Sequence, residues 1–153
     1  MTARDIKRTV AALIALLFGA TSLALADAAE VIMVTAKGRF LFTVEVAETA
    51  AQRQQGLQHR KSLAAGAGML FDYNRVQPAS MWMKNTLIAL DMLFIDGAGR
   101  VVNVAENTVP LSLATIPSAA PVRAVLEVNA GTARRLNIQP GDQVLHPIFA
   151  NAR

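Results

Sequence analysis

The run Met81-Trp82-Met83-Lys84-Asn85-Thr86 places several chemically capable side chains in a segment that is otherwise apolar. It holds the only tryptophan of the chain, and Asp91 follows it after an apolar stretch. A charge is costly to bury unless it is paired. The segment therefore predicts one of two arrangements. In the first, Lys84 forms a buried ion pair with Asp91 or Glu127. In the second, the same side chains line a polar pocket and Trp82 is its apolar wall.

Seven residues form the candidate ligand-binding set: Arg60, Trp82, Lys84, Asn85, Thr86, Asp91 and Glu127. In the pocket, Lys84 would donate to an anion or a hydroxyl, and Asp91 or Glu127 would accept. Arg60 follows a predicted short helix and is either a surface arginine or a bidentate anion contact. Carbohydrate, peptide and small anions are the ligands that this composition fits.

Three functions remain open from the residues alone. The chain is a binding or accessory module with a small polar pocket, or a hydrolase acting on carbohydrate through Asp91 and Glu127, because paired carboxylates can serve as acid and base. In the third reading it is a structural partner protein without a small ligand, in which the polar residues only fix the fold. No catalytic residue can be assigned on this basis.

Several chemistries lack the residues they need. The chain contains no cysteine, which excludes thiol catalysis and thiolate metal sites. The two histidines, His59 and His146, lie far apart in sequence, so we expect no metal site. No serine lies in a G-x-S-x-G elbow and no glycine-rich loop precedes a helix. We therefore expect no cofactor.

The N-terminus has the pattern of an export signal. Basic residues at positions 4, 7 and 8 precede an apolar stretch over residues 9–25, and Ala24-Leu25-Ala26 fits a cleavage site. We predict a signal peptide over residues 1–26, a single domain over residues 27–153, and a periplasmic or secreted location. Membrane contact is then expected only through the signal peptide before cleavage.

The charge distribution argues against a nucleic-acid partner. The net charge is +4, and half of it lies in the predicted signal peptide. The remaining basic residues are scattered, whereas a protein that binds phosphate backbones normally shows a basic stripe.

Alternating and β-branched patterns predict mostly strands. Residues 39–46 and 122–129 alternate with period two, and residues 88–95 are apolar on both faces except for Asp91. Thr49 and Gln52 fit the capping box of a short helix that Gly56 ends, and residues 132–136 predict another. We expect turns at residues 74–78 and 96–99 and a last strand over residues 143–148. The pattern indicates a compact, mainly β domain, an antiparallel sandwich or barrel with two short helices.

A family resemblance rests on five blocks in the right order. They are Gln54-Gln55-Gly56-Leu57, Gly68-Met69-Leu70-Phe71, Trp82-Met83-Lys84-Asn85-Thr86 with Leu90-Asp91, Val125-Leu126-Glu127, and Pro140-Gly141-Asp142. The chain resembles the DUF192 (UPF0127) family over about residues 30–147. Ala89 stands where the family usually has proline. The resemblance implies a compact, mainly β domain that is often exported, and it implies no biochemical role.

Overall fold

The structure is a computed structural model that describes residues 28–152. The predicted signal peptide lies outside the described residues. This part of the chain holds nine strands, two α-helices and one 3-10 helix. In chain order they are β1 Ala29–Thr35, β2 Gly38–Ala47, α1 Ala50–Gln55, β3 Ala67–Gln77, β4 Ser80–Met81, β5 Leu90–Ile95, β6 Val101–Ala105, β7 Ile116–Pro117, β8 Val122–Asn129, α2 Thr132–Leu136, β9 Gln143–Leu145 and the 3-10 helix Pro147–Phe149.

Seven strands form one curled sheet in the order β6-β5-β8-β3-β2-β1-β9, and β4 pairs with β7 in a separate ribbon. The predicted fold class, a mainly β barrel-like domain with two short helices, is confirmed. One pair departs from the antiparallel expectation, since β2 and β3 run parallel. The connection over residues 48–66 is long enough for such a crossover even though its helix α1 is short. No helix within residues 28–152 is long and apolar enough to cross a membrane.

Helix α1 begins and ends as the sequence predicts. The Thr49 hydroxyl accepts a hydrogen bond from the Gln52 backbone N–H at 3.1 Å, and the Gln52 side chain accepts one from the Thr49 N–H at 2.9 Å. Gly56 follows at φ 49°, and a Cβ on it would lie 3.1 Å from the Phe71 ring. A glycine therefore allows the end of α1 to lie against β3.

Strand β8 lies inside the sheet, between β5 and β3, and has two covered faces. Glu127 is paired with Met69 of β3 and with Met92 of β5, so these three side chains share one face. Asp91 pairs with Val128 and belongs to the opposite face. Apolar clusters cover both faces. A Cβ on Gly68 would lie 2.6 Å from the Glu127 carbonyl oxygen, so glycine there lets β3 and β8 approach closely.

Two predicted boundaries are wrong. Strand β3 continues to Gln77 through the residues predicted as a turn, with a register shift between Asp72 and Gln77. Strand β9 ends at Leu145 because Pro147, which lacks a backbone N–H, starts the 3-10 helix.

Candidate functional site

A cleft of about 220 Å³ opens between the end of α1, strand β3 and the segment over residues 80–86. Its walls combine amide, hydroxyl, aromatic and cationic side chains. The lining residues are Arg53, Gln54, Gln55, Gly56, Leu57, Gln58, Phe71, Tyr73, Ser80, Met81, Trp82, Lys84, Thr86 and Glu127. Glu127 is the only acidic residue among them. The volume lies below the range of about 300–1,000 Å³ typical of drug-sized ligands, so the cleft fits one ring or one side chain.

Glu127 lines the cleft and is only 4% exposed. No ion pair among the described residues involves its carboxyl group. Every fully buried side-chain oxygen or nitrogen in residues 28–152 has a hydrogen-bond partner. The Glu127 carboxyl oxygens are therefore not sealed in the interior without a partner; they reach the cleft. Burial raises the pKa of Glu127 from 4.5 to about 8. The side chain is therefore a neutral carboxylic acid at neutral pH, with one O–H donor and one C=O acceptor.

Tyr73 and Arg53 form one wall. The Arg53 Nη1 donates to the Glu48 and Asp72 carbonyl oxygens at 2.5 and 2.8 Å, and its guanidinium lies 5.5 Å from the centroid of the Tyr73 ring. The Tyr73 hydroxyl donates to the Met81 sulfur at 3.3 Å. Burial raises the pKa of Tyr73, the Arg53 charge opposes the rise, and the Glu127 charge adds to it. Arg53 is thus held mainly by the protein's own carbonyls.

Trp82 and Lys84 form a second wall. The Trp82 side chain is 48% exposed, and the Lys84 Nζ lies 5.1 Å from the centroid of its ring, within the range of a cation–π contact. Lys84 is exposed, so the buried ion pair with Asp91 or Glu127 that the sequence left open does not form. The fully buried Met83 anchors this wall between the two residues.

Thr86 belongs to the same wall. Its side chain is 6% exposed, and its Oγ1 donates to the Lys84 carbonyl oxygen at 3.3 Å. Its backbone N–H donates to the Met83 carbonyl oxygen at 3.0 Å. These two bonds turn the chain tightly at residues 83–86 and present Lys84 to the mouth of the cleft.

Two further candidates lie outside the cleft. Asn85 adopts φ 55°, and its Nδ2 donates to the Gln58 side chain at 3.3 Å. Its carbonyl oxygen accepts from the His59 N–H at 2.9 Å, which ties the wall to the end of α1. Arg60 forms a bidentate ion pair with Glu45, in which the Arg60 Nη2 lies 2.7 Å from the Glu45 Oε2. The hydrogen bond from Arg60 lowers the pKa of Glu45. Both residues hold the surrounding structure.

Asp91 is fully buried on the other face of the sheet. Its Oδ1 accepts from the Asn107 N–H and its Oδ2 from the Ala133 N–H, both at 2.8 Å. Both oxygens are occupied by backbone donors. The acid–base pair of Asp91 with Glu127 is therefore not formed, because residues of opposite parity on paired strands point to opposite faces.

A model of the family DUF192, described as "Uncharacterized ACR", matches residues 32–146. The chain belongs to the DUF192 family. The match spans all seven candidate residues and the whole cleft of this DUF192 domain. No protein with a curated description is significantly similar to the chain.

Two solved structures share the fold of this DUF192 domain. A protein from Sinorhizobium meliloti 1021, described as a candidate transcription regulator, is 46% identical with a TM-score of 0.76 over 78% of this chain and 94% of its own. A protein of unknown function from Novosphingobium aromaticivorans DSM 12444 is 42% identical with a TM-score of 0.75, over 76% of this chain and 84% of its own.

The structure brings together Trp82, Lys84, Thr86 and Glu127 of the seven candidates. The glutamines that end α1, together with Arg53 and Tyr73, were missed as lining residues. Gln54 and Gln55 stand in one of the blocks that carry the DUF192 resemblance, which is a usable signal. Tyr73 had none, because it lies where β3 continues into the expected turn. Within residues 28–152, no three histidine or acidic side chains cluster as metal ligands would.

Proposed function

We propose that this DUF192 domain is an exported binding module whose cleft takes a small, neutral, hydroxyl-rich ligand of the carbohydrate class. The observation that carries the proposal is Glu127, a buried carboxyl group that faces the cleft without an ion-pair partner. Because its oxygens reach the cleft and no ion pair among the described residues involves them, a ligand hydroxyl can bond to the carboxyl group without displacing a protein partner.

The protonation state favours a neutral ligand. With a pKa of about 8, Glu127 is neutral at neutral pH and can donate one hydrogen bond and accept another. Neighbouring hydroxyls of a sugar ring present a matching acceptor and donor. The amide side chains of Gln54 and Gln55 offer more of the same polar but uncharged contacts in the cleft lining.

The walls favour a ring over a peptide or a small anion. Trp82 is half exposed beside the cleft, and an aromatic face provides an apolar surface for the C–H face of a sugar. Lys84 is a cation that a ligand at the mouth can reach, while Arg53 is held by backbone carbonyls. A small anion would meet the Glu127 carboxyl group, the only acid in the cleft lining.

The arrangement gives no support for a glycosidase. Both classes of that enzyme need two carboxyl groups about 5–10 Å apart on either side of the bond. Glu127 is the only acid in the cleft lining. Asp91, the partner considered from the sequence, lies on the other face of the sheet.

Isothermal titration calorimetry with neutral monosaccharides and disaccharides, amino acids, short peptides and small anions tests the proposal. We expect binding within the neutral sugars only, accompanied by a change in Trp82 emission. Glu127→Leu should abolish binding while the protein remains folded, and Glu106→Gln, an exposed acid outside the cleft, should bind as the parent does.

Binding of the anions or charged amino acids alone would contradict the neutral-ligand assignment. The absence of binding heat with every class of ligand would contradict the proposal that this domain is a binding module. Unchanged sugar binding by the Glu127→Leu variant would show that the Glu127 carboxyl group does not contact the ligand.

A further inference from the structure

Exposed apolar side chains are concentrated beside the cleft. Among residues 28–152, seven large apolar side chains are exposed, and five of them lie on two adjacent segments. We call these five the apolar rim: Trp82, Leu87, Val109, Leu111 and Leu113. The Met83 N–H donates to the Ser112 carbonyl oxygen and the Leu111 N–H to the Thr86 carbonyl oxygen, both at 3.0 Å. The segments therefore form one surface that Trp82 shares with the cleft.

The loop that carries three of these side chains is unusual in charge and in backbone conformation. Residues 107–122 contain no charged side chain. Leu111 adopts φ 63° while its side chain is 58% exposed. A bulky residue in the left-handed region is strained, and an exposed side chain adds little packing to offset that strain. Stability of the fold does not explain a leucine at this position.

We propose that the apolar rim docks on a lipid bilayer that contains anionic lipid, which brings the mouth of the cleft to the membrane surface. The side chains of Val109 and Leu113 are each 69% exposed on a loop and project outward rather than lining a groove, which suits insertion among acyl chains. This inference goes beyond the proposed function, since sugar binding requires no membrane. It also adds a second membrane contact to the one predicted in the signal peptide.

The residues at the edge of the rim match the chemistry of a membrane interface. Tryptophan is enriched at the boundary between acyl chains and headgroups, and a lysine can lay its stem along apolar surface while its ammonium stays in water. Trp82 and Lys84 stand side by side in this arrangement, with the Nζ 5.1 Å from the ring centroid. Lys84 and the net charge of +2 over residues 27–153 provide attraction to anionic headgroups.

The fluorescence of Trp82 gives a direct test, because it is the only tryptophan in the chain and the predicted signal peptide has none. The protein, purified as the cell that expresses it processes it, is mixed with vesicles of phosphatidylethanolamine and phosphatidylglycerol. Some of the vesicles carry nitroxide-labelled lipid. We expect a blue shift of Trp82 emission and quenching by the shallow label. A double variant, Val109→Ser with Leu113→Ser, should weaken vesicle binding about tenfold or more for each side chain replaced.

Two comparisons distinguish a loss of vesicle binding from a loss of folding. The control pair Leu41→Ser with Val76→Ser removes similarly exposed apolar side chains elsewhere and should leave vesicle binding unchanged. Leu111→Gly should melt at the same temperature as the parent or higher, since glycine adopts this φ without strain, and yet bind vesicles less tightly.

Unchanged Trp82 emission with vesicles would overturn the proposal, and so would equal loss of binding in the rim and control pairs. A dimer in size-exclusion chromatography that the rim pair converts to monomer would overturn it in favour of a self-association surface. Because sugar binding is measured without vesicles, a failure here leaves the proposed function standing.

Discussion

Two buried acids on adjacent strands of one sheet have opposite environments. Asp91 of β5 has both oxygens filled by backbone N–H groups at 2.8 Å, whereas Glu127 of β8 has no ion-pair partner and faces a cleft. Strand parity alone sends them to different faces. The comparison shows that burial of a carboxyl group does not by itself mark a site. What marks one is burial that leaves the group's hydrogen-bonding capacity unused and open to solvent-sized molecules.

The two residues also differ in what they do for folding. Asp91 joins β5 to the N-terminal turn of α2 and to the loop at Asn107, so it stabilises the arrangement of three segments. Glu127 costs stability at neutral pH, because the folded protein must take up a proton that the unfolded chain does not bind. A side chain that is expensive to keep is better explained by a ligand than by packing.

The largest effect should come from Glu127→Gln at alkaline pH. The folded-state pKa of Glu127 lies above 4.5, so the folded protein binds this proton more tightly than the unfolded chain does. The resulting stability is complete below about pH 4.5 and is lost as the pH rises through about 8. The difference corresponds to up to about 5 kcal/mol. Urea unfolding across this range should show that the variant lacks this decline and exceeds the parent at about pH 9.

A parent protein whose stability is level from acid to alkaline pH would remove the contrast between the two acids. The same series on Glu106→Gln, an exposed acid, serves as the control and should reproduce the parent curve.

Asp91→Asn should be the next largest change. The amide can accept from only one of the two backbone donors and turns its own N–H toward the other, so we expect a loss of about 3 kcal/mol in urea unfolding. Asp96→Asn is the matched control, because Asp96 also accepts from two backbone N–H groups, those of Ala98 and Arg100, in an exposed turn. Its loss should stay below about 1 kcal/mol, since both N–H groups donate to the one oxygen Oδ1, which an amide retains, and the turn is exposed to water. Equal losses in the two variants would mean that the burial of Asp91 is energetically unimportant.

A third buried acid extends the comparison. Asp72 is 3% exposed and meets Arg123 through two bonds, at 2.6 Å from Nε and 2.9 Å from Nη2. Burial would raise the pKa of Asp72, but the bonds from Arg123 and from the Asn74 N–H outweigh it and hold the pKa below 3.8. The stability from this pair is therefore present above about pH 3.8 and is lost as the pH falls below it.

Arg123→Met should cost about 2 kcal/mol at neutral pH, because it leaves a buried carboxylate without its cation. Arg60→Met removes the half-exposed pair with Glu45 and should cost less than about 1 kcal/mol. Thermal unfolding of both variants checks the order, and the reverse order would show that exposure does not govern these pairs.

Lys84→Met should have the smallest effect. Lys84 is exposed and contacts the Trp82 ring rather than a carboxylate, so unfolding free energy should change by less than about 0.5 kcal/mol. A loss of several kcal/mol would instead restore the buried ion pair considered from the sequence and would remove Lys84 from the cleft wall.

Local patterns were sufficient for most of the fold. Period-two alternation located β2 and β8, and the Thr49–Gln52 capping box and Gly56 located α1, because each of these signals depends on bonds between close neighbours in sequence. The parallel pairing of β2 with β3 could not be predicted from the sequence, because it depends on the path of the mostly irregular connection over residues 48–66.

The site was only half predictable for the same reason. Trp82, Lys84 and Thr86 come from one short segment, whose composition signals a site. Glu127 was considered from the sequence as an ion-pair partner of Lys84, as an acceptor in a pocket or as an acid–base residue, and the alternation of β8 could not decide among these roles. Met83 and its neighbours cover the face of β8 that carries Glu127. This is a tertiary contact, so no pattern within β8 predicts it.

The most direct test of the contrast between the two acids is an NMR titration of the Glu127 side-chain carboxyl carbon. We predict a midpoint near 8 in the parent protein, which would show a buried acid held neutral at physiological pH. A midpoint near 4.5 would contradict the account, because Glu127 would then be a solvated or paired carboxylate and the cleft would lose the neutral acid on which the proposed function rests.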